Sequence, residues 1–361
     1  MQAVFDGHND VLYRLWNHAA KGTDPVAEFI GGAEKSGLEG REKGHIDMPR
    51  AKAGGLMGGL CAIYITSGHL DFGKPDKNGH YTTPLSEPLE RQPSLDIALD
   101  MAAIAFRIER AGGWKICRDT ADIRDAIAAK TFAAVLHMEG CEAIDADLSA
   151  LEMFYAAGLR SLGPVWSRNN IFGHGVPFNY PGDPDTGPGL TDAGKALVRE
   201  CNRLGILVDL SHITEKGFWD VARTSDQPLV ASHSNVHAIA PIPRNLTDRQ
   251  LDAIRESNGL VGFNFAVPML RSDGTDQADM PLSNMIRHVD HLVNKLGIDG
   301  VAIGSDFDGC TVPAEIGDAA GLQNLIAGLR IAGYGEDDLA KICRENWLRI
   351  LASAWHETAS A

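Results

Sequence analysis

Val4-Phe5-Asp6-Gly7-His8-Asn9-Asp10 climbs from apolar residues onto a histidine and a carboxylate, and that ending recurs far along the chain. Ala134-Val135-Leu136-His137-Met138-Glu139, Leu207-Val208-Asp209-Leu210-Ser211-His212 and Leu229-Val230-Ala231-Ser232-His233 finish the same way, and Val301-Ala302-Ile303-Gly304-Ser305-Asp306 finishes on a carboxylate. Short apolar runs of this kind read as buried strands. A ligand-type residue at the C-terminal end of each gathers them on one rim of a sheet or barrel. Histidines and carboxylates converging from distant stretches are what a hydrolytic metal centre requires.

Working outward, eight β-leaning runs stand out: Ala3–His8, Met57–Ile65, Phe132–Glu139, Ser161–Trp166, Ile206–Leu210, Pro228–Ser232, Leu260–Phe265 and Val301–Gly304. Helical patterns separate most of them, among them Leu95–Arg110, Met285–Leu296 and Asp337–Ala352. Thr191–Leu204 opens on Thr-Asp and stops before Gly205, a start cap and a glycine stop. Repeated alternation of strand and helix predicts an α/β fold, a parallel (β/α)₈ TIM barrel of the metal-dependent hydrolase type. Residues 22–44, 67–93 and 167–189 are rich in turn formers and read as long loops walling the pocket. One domain over 1–361 is expected, with these loops as excursions.

Composition sets bounds. The chain has 361 residues, 44% hydrophobic and 22% charged, which is ordinary for a globular protein. A formal net charge of -15 argues against nucleic acid or an anionic membrane surface as partner. The cysteines (61, 117, 141, 201, 310 and 343) form no CxxC pair and read as reduced packing residues. No basic-then-apolar leader, membrane-length run or hydrophobic tail is present, so a cytoplasmic protein is expected.

The candidate residues carry chemistry of different specificity. His8 and Asp10 are two apart, so an extended segment turns both to one side, although an isolated H-x-D also fits a surface turn. Glu139 ends a buried run, where an unpaired carboxylate is costly. Bridging two cations about 3.5–4 Å apart would offset that cost, and so would an ion pair with an arginine. His212 and His233 each follow a serine at the end of a Val/Leu run. Asp306 can accept a proton from an activated water; Asp308 shares its alternation and also suits a turn before Gly309. Arg244 has the fork geometry for a carboxylate, though from the residues alone a surface arginine is the plainer reading.

In this order the residues resemble the renal (membrane) dipeptidase family, the dinuclear-zinc M19 peptidases of the amidohydrolase-like barrels. The motifs that carry the resemblance are Asp6-Gly7-His8-Asn9-Asp10, Glu139-Gly140, Ser211-His212, Ser232-His233-Ser234-Asn235, Pro243-Arg244-Asn245-Leu246, Asp306-Phe307-Asp308-Gly309 and Glu345-Asn346-Trp347-Leu348-Arg349. The resemblance implies two Zn²⁺ per chain, with Mn, Co or Fe as substitutes. His8 and Asp10 would hold one ion, His212 and His233 the other, and Glu139 would bridge them. Asp306 would handle the proton and Arg244 the free carboxylate of a dipeptide, including L-Xaa-D-Xaa, cleaved by a metal-bridging hydroxide. A homodimer is also implied.

One position departs from the family. Its usual histidine after the fourth strand, which contacts the tetrahedral intermediate, is matched here by Trp166 in Gly163-Pro164-Val165-Trp166-Ser167. An indole N–H donates one hydrogen bond but carries no positive charge. Losing one oxyanion donor typically costs about 10²–10³ in rate. Trp166 is therefore expected to shape the substrate pocket, with His174 a candidate substitute and His137 a support beneath Glu139. This departure keeps open a related amidohydrolase acting on another small amide, lactam or ester. A catalytically silent binding barrel fits less well, since it has no need of Asp306.

Overall fold

Among the described residues, alternating apolar residues between turn signals produce nine strands: β1 (Val4–Asn9), β2 (Leu56–Tyr64), β3 (Trp114–Ile116), β4 (Phe132–Glu139), β5 (Leu159–Gly163), β6 (Leu207–Val208), β7 (Val230–Ser234), β8 (Leu260–Phe263) and β9 (Val301–Ile303). The structure, a computed structural model, describes residues 1–68 and 74–357. All strand pairings are parallel. One sheet runs β1-β2-β4-β5-β6, with β3 on the start of β4, and the second runs β7-β8-β9.

Backbone hydrogen bonds join the two sheets at both seams. Leu210 N donates to Val230 O at 2.8 Å, and on the other side Asp306 N donates to His8 O at 3.0 Å and Asp10 N to Phe307 O at 2.8 Å. The five strands of the first path and the three of the second thus form one ring, the expected (β/α)₈ barrel.

Faces alternate along β4. Ala134, Leu136 and Met138 belong to the layer packed under the helices, whereas Ala133 and Val135 belong to the barrel interior with Phe5, Leu60, Leu207, Val230, Leu260 and Ala302. By the same period His137 and Glu139 continue the inner face toward the strand's C-terminal end. Trp347, from the helix Asn346–Ala354, fills the interior and donates from Nε1 to Ile303 O at 2.8 Å. Gly7 makes room for it: a Cβ there would lie 2.1 Å from Trp347 Cζ2. The indole thereby closes the lower barrel and leaves the opposite rim for polar groups.

Several boundaries differ from the sequence expectation. The strand expected over Ser161–Trp166 is Leu159–Gly163, so Trp166 stands on the loop beyond it. Residues 22–44 are not all loop: Pro25–Gly31 is helical, with Asp24 accepting from Val26 N and Ala27 N, followed by short 3₁₀ turns. Within the expected 67–93 loop, residues 69–73 lie outside the described residues, and the next helix begins at Arg91. The 167–189 segment is irregular as expected. The expected helix Asp337–Ala352 spans Glu336 to Ala354 with a π-turn at Lys341–Glu345. The cap read at Thr191 is present, its hydroxyl accepting from Gly194 N. Among the described residues no helix is long and apolar enough to cross a membrane, and all six cysteines are free.

Candidate metal centre

Strand ends deliver His8, Asp10, Glu139, His212 and His233 to one point, all of them buried. Glu139 Oε1 lies 3.0 Å from His212 Nε2, 3.3 Å from His233 Nε2 and 3.6 Å from His8 Nε2. His212 Nε2 and His233 Nε2 are 3.1 Å apart, and His8 Nε2 is 3.5 Å from Asp10 Oδ2. Two donors on one tetrahedral cation, each about 2.0–2.2 Å from it, stand roughly 3.3 Å from one another. The side chains therefore have the spacing of groups that share cations, with Glu139 common to both halves.

Unmet polar atoms point the same way. His8 Nδ1, His8 Nε2 and Asp10 Oδ1 are buried without a hydrogen-bond partner, which native interiors rarely tolerate. His8, Glu139 and His233 can offer one ligand atom each within 4.8 Å, and so can His8, Asp10 and Asp306.

The local backbone and neighbouring hydroxyls aim the imidazoles. His212 and Asp306 adopt φ of 69° and 59°, a left-handed conformation that side chains seldom take and that is commonly held at functional sites. Ser167 Oγ meets His212 Nδ1 at 2.8 Å, and Ser232 Oγ meets His233 Nδ1 at 2.8 Å, leaving both Nε2 atoms facing Glu139. His137, two residues before Glu139 on β4, has Nδ1 2.9 Å from Ser161 Oγ and its ring 5.3 Å from that of His8, centroid to centroid.

Burial biases these groups toward their neutral forms. It pushes Glu139 well above the usual carboxylate range, and it holds His212 and His233 well below the usual imidazole range. His137 is pulled down to about 3 by burial, with the His8 charge adding to it. Burial opposes charge on His8 too, but Glu139, Asp10 and Asp306 together bring it up to about 10. Burial raises Asp306 to about 6, against the pull of His8, while Asp10 adds to the rise. A divalent cation would ionise the carboxylates and keep the imidazoles neutral, which is the protonation state a ligand set needs.

A cavity of about 1450 Å³ opens onto these groups and is lined by Asp10, Tyr64, Glu139, Trp166, Phe178, His212, Arg244 and Asp306, among others. Trp166 forms a wall: its ring lies 5.2 Å from Tyr64, 5.6 Å from Phe178 and 5.6 Å from His212, centroid to centroid. Arg244 is not the surface arginine of the plainer reading but is 3% exposed. Its Nη2 donates to His233 O at 3.1 Å and its Nη1 to Ser234 Oγ at 3.4 Å, while Nε has no partner.

Asp306 accepts from Asn264 Nδ2 at 3.0 Å. Its rival Asp308 is engaged elsewhere, with Oδ2 3.1 Å from Arg14 Nε and Oδ1 accepting from His45 N. His174 does not line the cavity, and its Nδ1 lies 3.0 Å from Gly189 O. Nothing in the sequence singles out Tyr64 or Phe178 as a site residue. Asn264 had the available signal, a polar residue directly after the apolar run of β8.

The solved structure of dipeptidase AC, a metallo peptidase of family M19, superposes with a TM-score of 0.89 at 49% identity, over 98% of this chain and 99% of that one. A Rhodobacter sphaeroides metallo peptidase, solved with a phosphinate mimic of the dipeptide L-Ala-D-Ala, superposes with a TM-score of 0.88 at 47% identity, over 98% and 99%. A Klebsiella pneumoniae protein described as uncharacterized, in the pqqA 5′ region, is 48% identical over 265 residues, which is 73% of this chain and 98% of its own length. The family model described as membrane dipeptidase, peptidase family M19, matches residues 1–360. Matched end to end by that model and nearly half identical to a solved M19 peptidase, this chain belongs to the membrane dipeptidase family of metallopeptidases.

Proposed function

We propose that this metallo-dipeptidase cleaves free dipeptides with two divalent cations, zinc in the first instance, shared through Glu139. His8 and Asp10 would hold one and His212 and His233 the other. The observation that carries this reading is the set of 3.0–3.6 Å separations around Glu139 Oε1, the spacing of donors on common cations. Cations so held would supply a water of lowered pKa and would polarise the peptide carbonyl.

The chain's own groups do the rest. Asp306, held by Asn264, takes the proton released as water adds to the carbonyl carbon and delivers it to the nitrogen as the C–N bond breaks. Arg244, pinned on His233 O and Ser234 Oγ, receives the substrate's free carboxylate. Trp166 bounds the pocket beside His212 and limits which side chains enter. The Rhodobacter sphaeroides enzyme's L-Ala-D-Ala mimic supports acceptance of a D-residue at the second position. A second reading, hydrolysis of another small amide, lactam or ester, draws its support from Trp166 standing where the family's histidine is expected. Family resemblance further supports a homodimer, and the ring of eight strands supports a single domain.

Metal-loaded protein assayed on L,L- and L,D-dipeptides, with N- and C-blocked controls, tests the proposal. Turnover confined to unblocked dipeptides is expected; turnover of small lactams or esters without any dipeptide would overturn it in favour of the second reading.

A further inference from the structure

Asp209 lies outside the catalytic and ligand roles assigned above, yet its carboxylate is 1% exposed and fully engaged at the seam between the two sheets. Its Oδ1 accepts from Ser211 N at 3.0 Å, Ser211 Oγ at 2.9 Å and Ser232 N at 2.7 Å, and its Oδ2 accepts from Ser232 Oγ at 2.5 Å. Ser211 and Ser232 are the residues immediately before His212 and His233. One carboxylate thus grips both histidine-bearing strand ends, and Ser211 Oγ also accepts from His233 N at 3.1 Å.

Proton accounting gives this grip a chemical consequence. The Asp209 carboxylate already accepts from two backbone N–H groups and the Ser211 hydroxyl, and in the same acceptor role its Oδ2 takes the single hydroxyl proton of Ser232. Toward His233 Nδ1, 2.8 Å away, Ser232 Oγ can then present only lone pairs. Nδ1 must therefore carry the ring proton, which leaves Nε2 bare and directed at Glu139 and His212. The same stitching holds the two Nε2 atoms 3.1 Å apart. We propose that Asp209 is a positioning residue that, through Ser232, fixes the His233 tautomer and sets the spacing of the His212–His233 pair for cation binding. This inference rests on the metal reading above. It also explains why a serine precedes each histidine.

Cobalt(II) titration of the metal-free protein tests it, followed by visible absorption and by competition with a chelator, so that activity is not the readout. In Asp209→Asn and Ser232→Ala, one of the two cobalt ions is expected to bind about 10–100-fold more weakly with an altered spectrum. The other ion should bind as before, and Ser232→Thr should restore the original behaviour. Should Asp209→Asn fail to fold, Ser232→Ala decides, since it leaves three of the four bonds to Asp209 in place. Unchanged cobalt affinity and spectrum in Ser232→Ala would overturn the inference. Failure of the unmutated protein to take up cobalt would instead overturn the metal reading and this inference with it.

Discussion

Replacing Arg244 by methionine keeps much of the side chain's bulk while removing its fork. Two donated bonds disappear, those to His233 O and Ser234 Oγ, but His233 O keeps the bond from Asn264 Nδ2 at 3.3 Å. The strand end is therefore not stripped of all support, and the larger loss falls on the substrate carboxylate. Truncating one partner of a buried, hydrogen-bonded charge pair costs about 2–5 kcal/mol, or roughly 30- to 4,000-fold in kcat/KM. The guanidinium charge also acts on Asp306 and Glu139, so part of any loss will be shared by every substrate. Comparison of a dipeptide with its C-terminal amide separates the two effects. The unmutated enzyme should prefer the free acid strongly, and Arg244→Met should lose that preference while its activity on the amide falls much less. An equal fall on both substrates would refute the carboxylate assignment.

Gly7→Ala would put a methyl 2.1 Å from Trp347 Cζ2 and 2.7 Å from Ser232 O, so stability should drop by about 1–3 kcal/mol, read from the urea midpoint. An unchanged midpoint would contradict the packing of Trp347 against β1. Burial pulls His288 down to about 3, and the neutral ring is fully satisfied, with Nε2 donating to Leu270 O and Nδ1 accepting from Val236 N. The unfolded chain protonates this histidine below about 6.5, so its contribution is complete above that pH and declines as pH falls toward 3. Between pH 8 and pH 5 the loss is about 2 kcal/mol, which His288→Gln should abolish; parallel stability–pH curves for the two proteins would contradict this. Trp166→His should change the rate or the side-chain selectivity across a dipeptide panel, and identical profiles would remove Trp166 from the substrate wall.

Much of the barrel was legible because β4 shows a clean period of two and ends on Glu139, and because each ligand closes an apolar run. Strand β3 was not legible: three residues, Trp114–Ile116, are too few to show a period. The Pro25–Gly31 helix did announce itself, with Asp24 as cap and Pro25 in its first turn, but the surrounding glycines masked it. Asp209 was visible only as one polar residue in a strand, since its role depends on Ser232 across the seam. Nor could the left-handed backbone at His212 and Asp306 be anticipated: histidine and aspartate visit that region more readily than most side chains, but no glycine or turn dipeptide at either position marks it.

Metal content measured on the protein after equilibration with zinc and removal of loose ions addresses the shared-cation claim most directly. About two ions per chain are expected for the unmutated protein, and Glu139→Gln should weaken both, because that carboxylate is common to the two halves. Retention of two ions at undiminished affinity in Glu139→Gln, or no uptake by the unmutated protein, would contradict the dinuclear reading.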